Sequence, residues 1–372
     1  MRKILVVLMI TMVGLSCSKK EETTQIGVIL PLTGELASFG KTVLNGVQLA
    51  VDDYNNEENN SPKVSLVIED SKATPNVAVN AFNKLIDVDH VKIVIGDLTS
   101  GATLAMAPIA QKNKIILISP TASNPALSHS GEYFFRVWPS DNYSGFVAAN
   151  YSYKELEKRK AAIIYINNDY GYGLKEVFDS TFTTMGGSVL ISEAYSQDRT
   201  DFKNILVKIK NMGADLIYVP GHPYGIAYVA KQSIEIGLKV ALMSDVAAED
   251  KEFIPLAGNA AKGLYFVTPA FNINSTDSSV ANFVSRYKEK YSEVPDVHAV
   301  KGYESMEIIL SAVKQNHQSV DAIKVFLKGG KFHVVGEKLD FDKNGDVKSD
   351  MTIKQYQNNL EIRSIKVFSG IE

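Results

Sequence analysis

From Gln25 onward, short continuous apolar runs alternate with stretches whose apolar residues recur every three or four positions. The runs are "IGVIL" (26–30), "VSLVI" (64–68), "VKIVI" (91–95) and "IILIS" (115–119). Between them the spacing predicts helices near 40–54, 75–87 and 100–112; in the first, Val43, Leu44, Val47, Ala50, Val51 and Tyr54 fall on one stripe. Strands without polar alternation are buried on both faces, and helical connections make them parallel, so the pattern predicts an α/β unit with helices on both sides of a sheet.

A second series follows "FFRVWPSDNYSG". Helices are expected at 142–158, 172–185, 200–212 and 224–236, with strands at 161–166, 188–191, 215–219, 239–243 and 263–267. Beyond Thr268 come helical stretches near 277–291, 298–316 and 319–328, then short strand-like pieces. The chain thus reads as two similar α/β modules, and its 372 residues suffice for two domains.

Composition alters this picture little. With 45% hydrophobic and 22% charged residues and a net charge of −3, no basic excess points to nucleic acid or to an anionic membrane surface. The first residues differ: Arg2 and Lys3 precede an apolar run, Ile4 to Leu15, that is too short to span a bilayer and has the form of an export signal. It ends at Cys17, the single cysteine of the chain. The exit resembles the lipobox of bacterial lipoproteins, with Ser16 fitting and Gly14 standing where leucine is commonest. Cys17 is therefore expected to carry a lipid, the alternative being a plain secretory peptide; "SKKEETTQ" would be the tether.

Open α/β sheets bind ligands at the carboxyl ends of their strands. Those ends here are polar and glycine-containing: "PLTGELASFG", "GDLTSGAT" and "SPTASNPAL" in the first module, "NNDYGYG", "PGHPYG" and "SDVAAED" in the second. Thr99 or Ser100 can cap the following helix, and Gly101 allows close approach to its first amides, which suit a carboxylate or phosphate. A capped helix beside a polar loop would look the same in either loop alone.

The series "GVILPLTGELASFGKTVLNGVQLAVDDYN", "IVIGDLTSGATLAMAPIAQKNKIILISPTASNPAL", "YFFRVWPSDNYSG", "NNDYGYG", "DFKNILVKIKNMGADLIYVPG", "GLYFVTPA" and "LDFDKNGD" resembles, in one order over nearly all of the mature chain, the periplasmic (type I) binding proteins of branched-chain amino-acid ABC importers. The resemblance implies two Rossmann-like doubly wound lobes joined by a three-strand hinge. Boundaries would be a signal peptide at 1–17, a tether at 18–25, a first lobe of 26–139 plus 268–340, and a second of 140–267 plus 341–372. It further implies a monomer without cofactor that closes on an amino-acid-like ligand, delivers it to an ABC permease, and touches the membrane only through its lipid. Ser100 and Ser123, with the backbone of Thr121, would hold the ligand carboxylate; Tyr170 would close over it, and Asp245 would pair with the ammonium. Phe39 and Leu98 would line the side-chain pocket, with His222 on the second lobe. Asp245 stands where a glutamate is common, and His222 and Asp97 make the pocket more polar than leucine, isoleucine or valine needs. A ligand-sensing subunit of a receptor is the neighbouring alternative.

Other motifs are poorer fits. "GELASFGKT" has one residue too many between its glycines for a phosphate-binding P-loop. Ser38 begins an S-x-x-K and "SDN" occurs at 140–142, as in serine penicillin-binding enzymes, but K-T-G is missing; an exported hydrolase using Ser38 is the alternative from another class. "DFDKNGD" lacks the distal glutamate of a calcium loop and reads as a tight turn, and the six histidines are scattered, so no metal site is expected.

Overall fold

The computed structural model describes residues 23–315, 317 and 319–370; Cys17 and the signal lie outside them. The first half runs β1 (Thr23–Leu30), α1 (Ala37–Asn56), β2 (Lys63–Asp70), α2 (Pro75–Asp87), β3 (Ile93–Gly96), α3 (Ser100–Asn113), β4 (Ile116–Ser119) and β5 (Phe134–Arg136). These strands form a parallel sheet in the order β2-β1-β3-β4-β5. β1 begins at Thr23, inside the stretch expected as tether, because Thr23, Thr24 and Gln25 pair in register with Lys63, Val64 and Ser65.

The second half continues with α4 (Asp141–Lys154), β6 (Lys160–Ile166), α5 (Asp169–Thr184), β7 (Ser188–Tyr195), α6 (Lys203–Met212), β8 (Leu216–Val219), α7 (Pro223–Glu235), β9 (Ala241–Ser244), α8 (Phe253–Ala257) and β10 (Tyr265–Pro269). Three helices, α9 (Ser278–Tyr291), α10 (Val297–Lys314) and α11 (Val320–Gly329), precede the hairpin β11 (Lys331–His333) and β12 (Lys338–Asp340). The chain ends on β13 (Met351–Tyr356) and β14 (Ile362–Phe368), which add antiparallel to the second sheet, giving β14-β13-β10-β9-β8-β6-β7.

The apolar runs are continuous because each sheet is covered on both faces. Ile26, Val28 and Leu30 point to a core shared with α1, α10 and α11, whereas Ile29 and Val94 point to one shared with α2 and α3. In the second sheet Ala162 and Ile164 meet α6, α7 and α8, while Ala161 and Ile163 meet α4 and α5. The chain passes between the sheets three times: after β5, after β10 and between β12 and β13. Phe341 and Val347, on the third passage, are buried with the first sheet's core.

The "DFDKNGD" turn has a use in that passage. Asp342 Oδ1 accepts the amides of Asn344 at 2.7 Å and Asp346 at 3.0 Å, and Gly345 takes the positive φ that closes the turn. Asp346 Oδ1 then receives Nε of the fully buried Arg136 at 2.6 Å. The other ends of that guanidinium reach Asn124 O and Ser128 Oγ, both at 2.9 Å, so one arginine fastens the loop after β4 to the third passage.

Candidate functional site

In both sheets the order reverses beside the first strand of the module, at β1/β3 and at β6/β8. Loops leaving those strands diverge there, opening a crevice at their carboxyl ends. The two crevices face each other and enclose a cavity of about 200 Å³. Phe39, Leu98, Ser100, Thr121 and Ser123 line it from the first sheet, and Tyr170 and His222 from the second. Asp245 does not; it lines a smaller cavity of about 10 Å³ that shares Trp138, Tyr170 and Val246 with the larger one. Ser38 lines neither.

The start of α3 is the anion-seeking part. Thr99 occupies the N-cap position but makes no capping bond; its amide and hydroxyl both turn back to Asp97 Oδ1, at 2.7 and 2.8 Å. The cap expected from sequence is therefore not made, and the first amides of α3, at Ser100, Gly101 and Ala102, end at the cavity. Asp97 itself is fully buried away from the cavity, its carboxyl pushed up to about 6 by desolvation; it shapes the loop and adds no polarity to the pocket.

The hydroxyls of Ser100, Thr121 and Ser123 on that wall differ. Ser100 Oγ accepts the Asn124 amide at 3.2 Å, which leaves its hydrogen free to donate. Thr121 Oγ1 donates to Leu98 O at 3.1 Å, and Ser123 Oγ donates to Asp141 Oδ2 at 2.7 Å. Ser123 thus offers a bound molecule its lone pairs or its backbone, and its hydroxyl hydrogen is committed to a carboxylate.

Asp245 caps the short turn after β9. It accepts Gly221 N at 2.7 Å and Ala247 N at 2.8 Å, and the Tyr170 hydroxyl lies near it on the same small cavity. Burial at 4% exposure pushes its carboxyl up to about 6 against those hydrogen bonds. The Tyr170 hydroxyl is raised well above its ordinary range by burial and by the nearby Asp245 and Asp141.

Trp138 and His298 were not singled out in the sequence, yet both line the cavity. Their rings stack at 5.4 Å between centroids, and Phe39 meets His298 edge-on at 4.8 Å. Trp138 lies on the first passage between sheets and His298 in the first turn of α10, so neither follows a strand of the alternating pattern. Gln197 was missed because the mixed sequence "SEAY" hides the true end of β7 at Tyr195.

Several contacts join the two walls. Glu35, before α1, meets Gln197 Nε2 and stands 3.4 Å from His222 Nδ1. Asn124 Nδ2 donates to Asp169 O at 2.5 Å. A Cβ on Gly101 would lie 2.8 Å from Asp169 Oδ2, so glycine there admits the opposite wall as well as anything in the cavity.

A cavity between two doubly wound modules, with helix amides on one wall and a buried carboxylate behind the other, defines a two-lobed solute-binding protein. Residues 23–360 match the periplasmic binding protein family, and the chain belongs to it, within the type I branch that serves branched-chain amino-acid transporters. It is 28% identical over 330 residues to the Leu/Ile/Val-binding protein BraC3 of Rhizobium johnstonii, covering 87% of this chain and 89% of that one. The leucine-binding protein LivK of Thermotoga maritima superposes with a TM-score of 0.87 at 28% identity, covering 93% of this chain and 99% of the other. LivJ of Streptococcus pneumoniae, in complex with isoleucine, gives 0.86 at 26% over 94% and 100%. A solute-binding protein of R. palustris in complex with benzoate gives 0.85 at 19% over 94% and 97%, a likeness of fold alone. Family members are solute-binding proteins of ABC transporters, not enzymes, and the family is an exported, periplasmic one.

Proposed function

We propose that this chain is an extracytoplasmic solute-binding lipoprotein that captures an amino acid by closure of its lobes and delivers it to the permease of an ABC importer. One observation supports this above the others: the uncapped start of α3, with the free Ser100 hydroxyl, lies across the cavity from Tyr170, behind which Asp245 borders the adjoining small cavity. A zwitterion complements that arrangement, its carboxylate toward the amides and its ammonium toward the acid, through charge-assisted hydrogen bonds worth about 1.5–3 kcal/mol each. The side chain then lies against Phe39, Leu98, Trp138 and His298. Because the two charges of the ligand are read by different lobes, ligand favours the closed form over the open one. The export signal and the single cysteine at its exit, Cys17, support a lipid anchor ahead of β1.

The test is a thermal-shift and calorimetric screen of the purified protein against the twenty standard amino acids, with benzoate beside them. A true ligand at 100 times its Kd raises stability by about 2.7 kcal/mol. An amino acid giving that response while benzoate gives none supports the reading; the reverse pattern moves the protein to the aromatic acids.

A further inference from the structure

Asp141 opens α4 on the first passage between the sheets and is 2% exposed. It lines the small cavity together with Asp245, Tyr170 and Trp138. Its Oδ2 accepts the Ser123 hydroxyl at 2.7 Å, and the Ser144 hydroxyl beside it also favours its charged form. Two buried carboxylates therefore border a space the size of one small polar group, at the edge of the main cavity. Their charges act on each other, as Asp245 helps to raise Asp141. The one cation that lowers Asp141, Arg136, is tied to Asp346. A buried pair of like charges is costly until a cation or a proton joins it.

We propose that Asp141 is a second anionic contact for the ligand ammonium, and that the Asp141–Asp245 pair makes the site select primary amino acids over carboxylic acids lacking the amine. The inference rests on the amino-acid reading above. Ser123 fits it, since its hydroxyl hydrogen holds Asp141 and its lone pairs remain for the ammonium. An amine-free acid leaves both carboxylates without a counter-charge, which sites of this type reject by about 100-fold or more.

The pair also couples binding to protons. The groups facing it are Ser123, Arg136, Ser144, Tyr170 and Tyr218 around Asp141, with Tyr170, Gly221, His222 and Ala247 around Asp245; Tyr195 and Tyr218 also feel Asp245. Burial pushes Asp141 up to about 7 and Asp245 up to about 6, so the free protein holds a proton here near pH 6.5. An incoming ammonium expels it to solvent; at pH 8 little remains to expel.

The experiment uses the twenty amino acids, with 2-hydroxyisocaproate, phenyllactate and benzoate as amine-free probes. Calorimetry is run at pH 6.5 and 8 in buffers of different ionisation heat, on the wild type and on Asp141→Asn. Expected are proton release at pH 6.5, at least ~10-fold weaker amino-acid binding in the variant, and a matching loss of discrimination against the amine-free acids. Amino-acid binding by the variant equal to wild type overturns the inference and leaves the amino-acid reading standing. Should the variant fail to fold, absence of proton release from the wild type at pH 6.5 overturns it alone. A wild type that takes benzoate and no amino acid removes the reading and the inference together.

Discussion

Glu35 Oε1 lies 3.4 Å from His222 Nδ1, one group from each wall of the cleft, with Gln197 on the other oxygen of the same carboxylate. Both side chains are largely covered, at 20% and 12% exposure. The contact forms only when the walls approach, so it acts on departure of the ligand more than on its arrival. Replacing Glu35 by alanine removes its hydrogen bond from Gln197 and is expected to speed ligand release roughly 3- to 10-fold, the equivalent of one hydrogen bond of about 0.5–1.5 kcal/mol. Stopped-flow measurement checks this; an unchanged release rate would show that the pair contributes nothing to closure.

Ser100→Ala removes the one hydroxyl on the first wall whose hydrogen is free, while the start of α3 keeps its amides. Calorimetry should show affinity falling about 10- to 100-fold, the worth of a hydrogen bond to a charged group. Thr121→Ala, whose hydroxyl already serves Leu98 O, should cost binding much less. Equal losses in the two variants would disprove the assignment of Ser100 as donor.

Trp138 is the single tryptophan of the chain and lines both cavities. Intrinsic fluorescence is therefore a clean report of the site, and a bound ligand should shift its intensity or emission maximum in a saturable way. A ligand that raises the melting temperature yet leaves the emission untouched must bind somewhere else.

The buried acids set a pH trend for the ligand-free protein. Asp141 and Asp245 have folded values of about 7 and about 6, above the unfolded value of about 3.9, so the folded state binds more protons in that interval. Their contribution to stability is present in full below about pH 4 and is lost as pH rises through 6 to 7, at about 1.4 kcal/mol per pH unit for each proton held. Asp97, Glu304 and Glu307 are raised as well, so the comparison that isolates the pair is Asp141→Asn against wild type. Urea melts from pH 4 to 8 should give a flatter profile for the variant; parallel profiles would mean that Asp141 does not titrate in this range.

Cys17 is expected to carry the lipid. In cells fed an alkyne fatty acid, the protein should become labelled and Cys17→Ser should not. Equal labelling of the two proteins would dispose of the lipid anchor.

The strands and helices were legible because each buried run is apolar on both faces and each helix has one stripe; Ile26–Leu30 and Val43–Tyr54 are examples. The antiparallel addition of β13 and β14 was not, since β14 is largely exposed and has no apolar run. Within the site, the loops directly after strands could be read as facing a ligand, while Ser100, Tyr170 and His222 as contacts came from the family resemblance; all three line one cavity. Trp138 and His298 escaped because lobe-to-lobe passages and the starts of distant helices carry no periodic signal. Asp141 was visible only as part of "SDN", where its neighbours in space, Ser123 and Asp245, are 18 residues before and about a hundred residues after it.

β1 enters its sheet at Thr23 and reaches the cleft at Leu30, a run of eight residues or about 26 Å. An attachment at Cys17 would accordingly join the first lobe at the end of β1 opposite the cleft. Held at that end through the expected tether, the protein would keep its opening accessible to passing solute and stay free to turn its loaded face to a transporter in the same membrane.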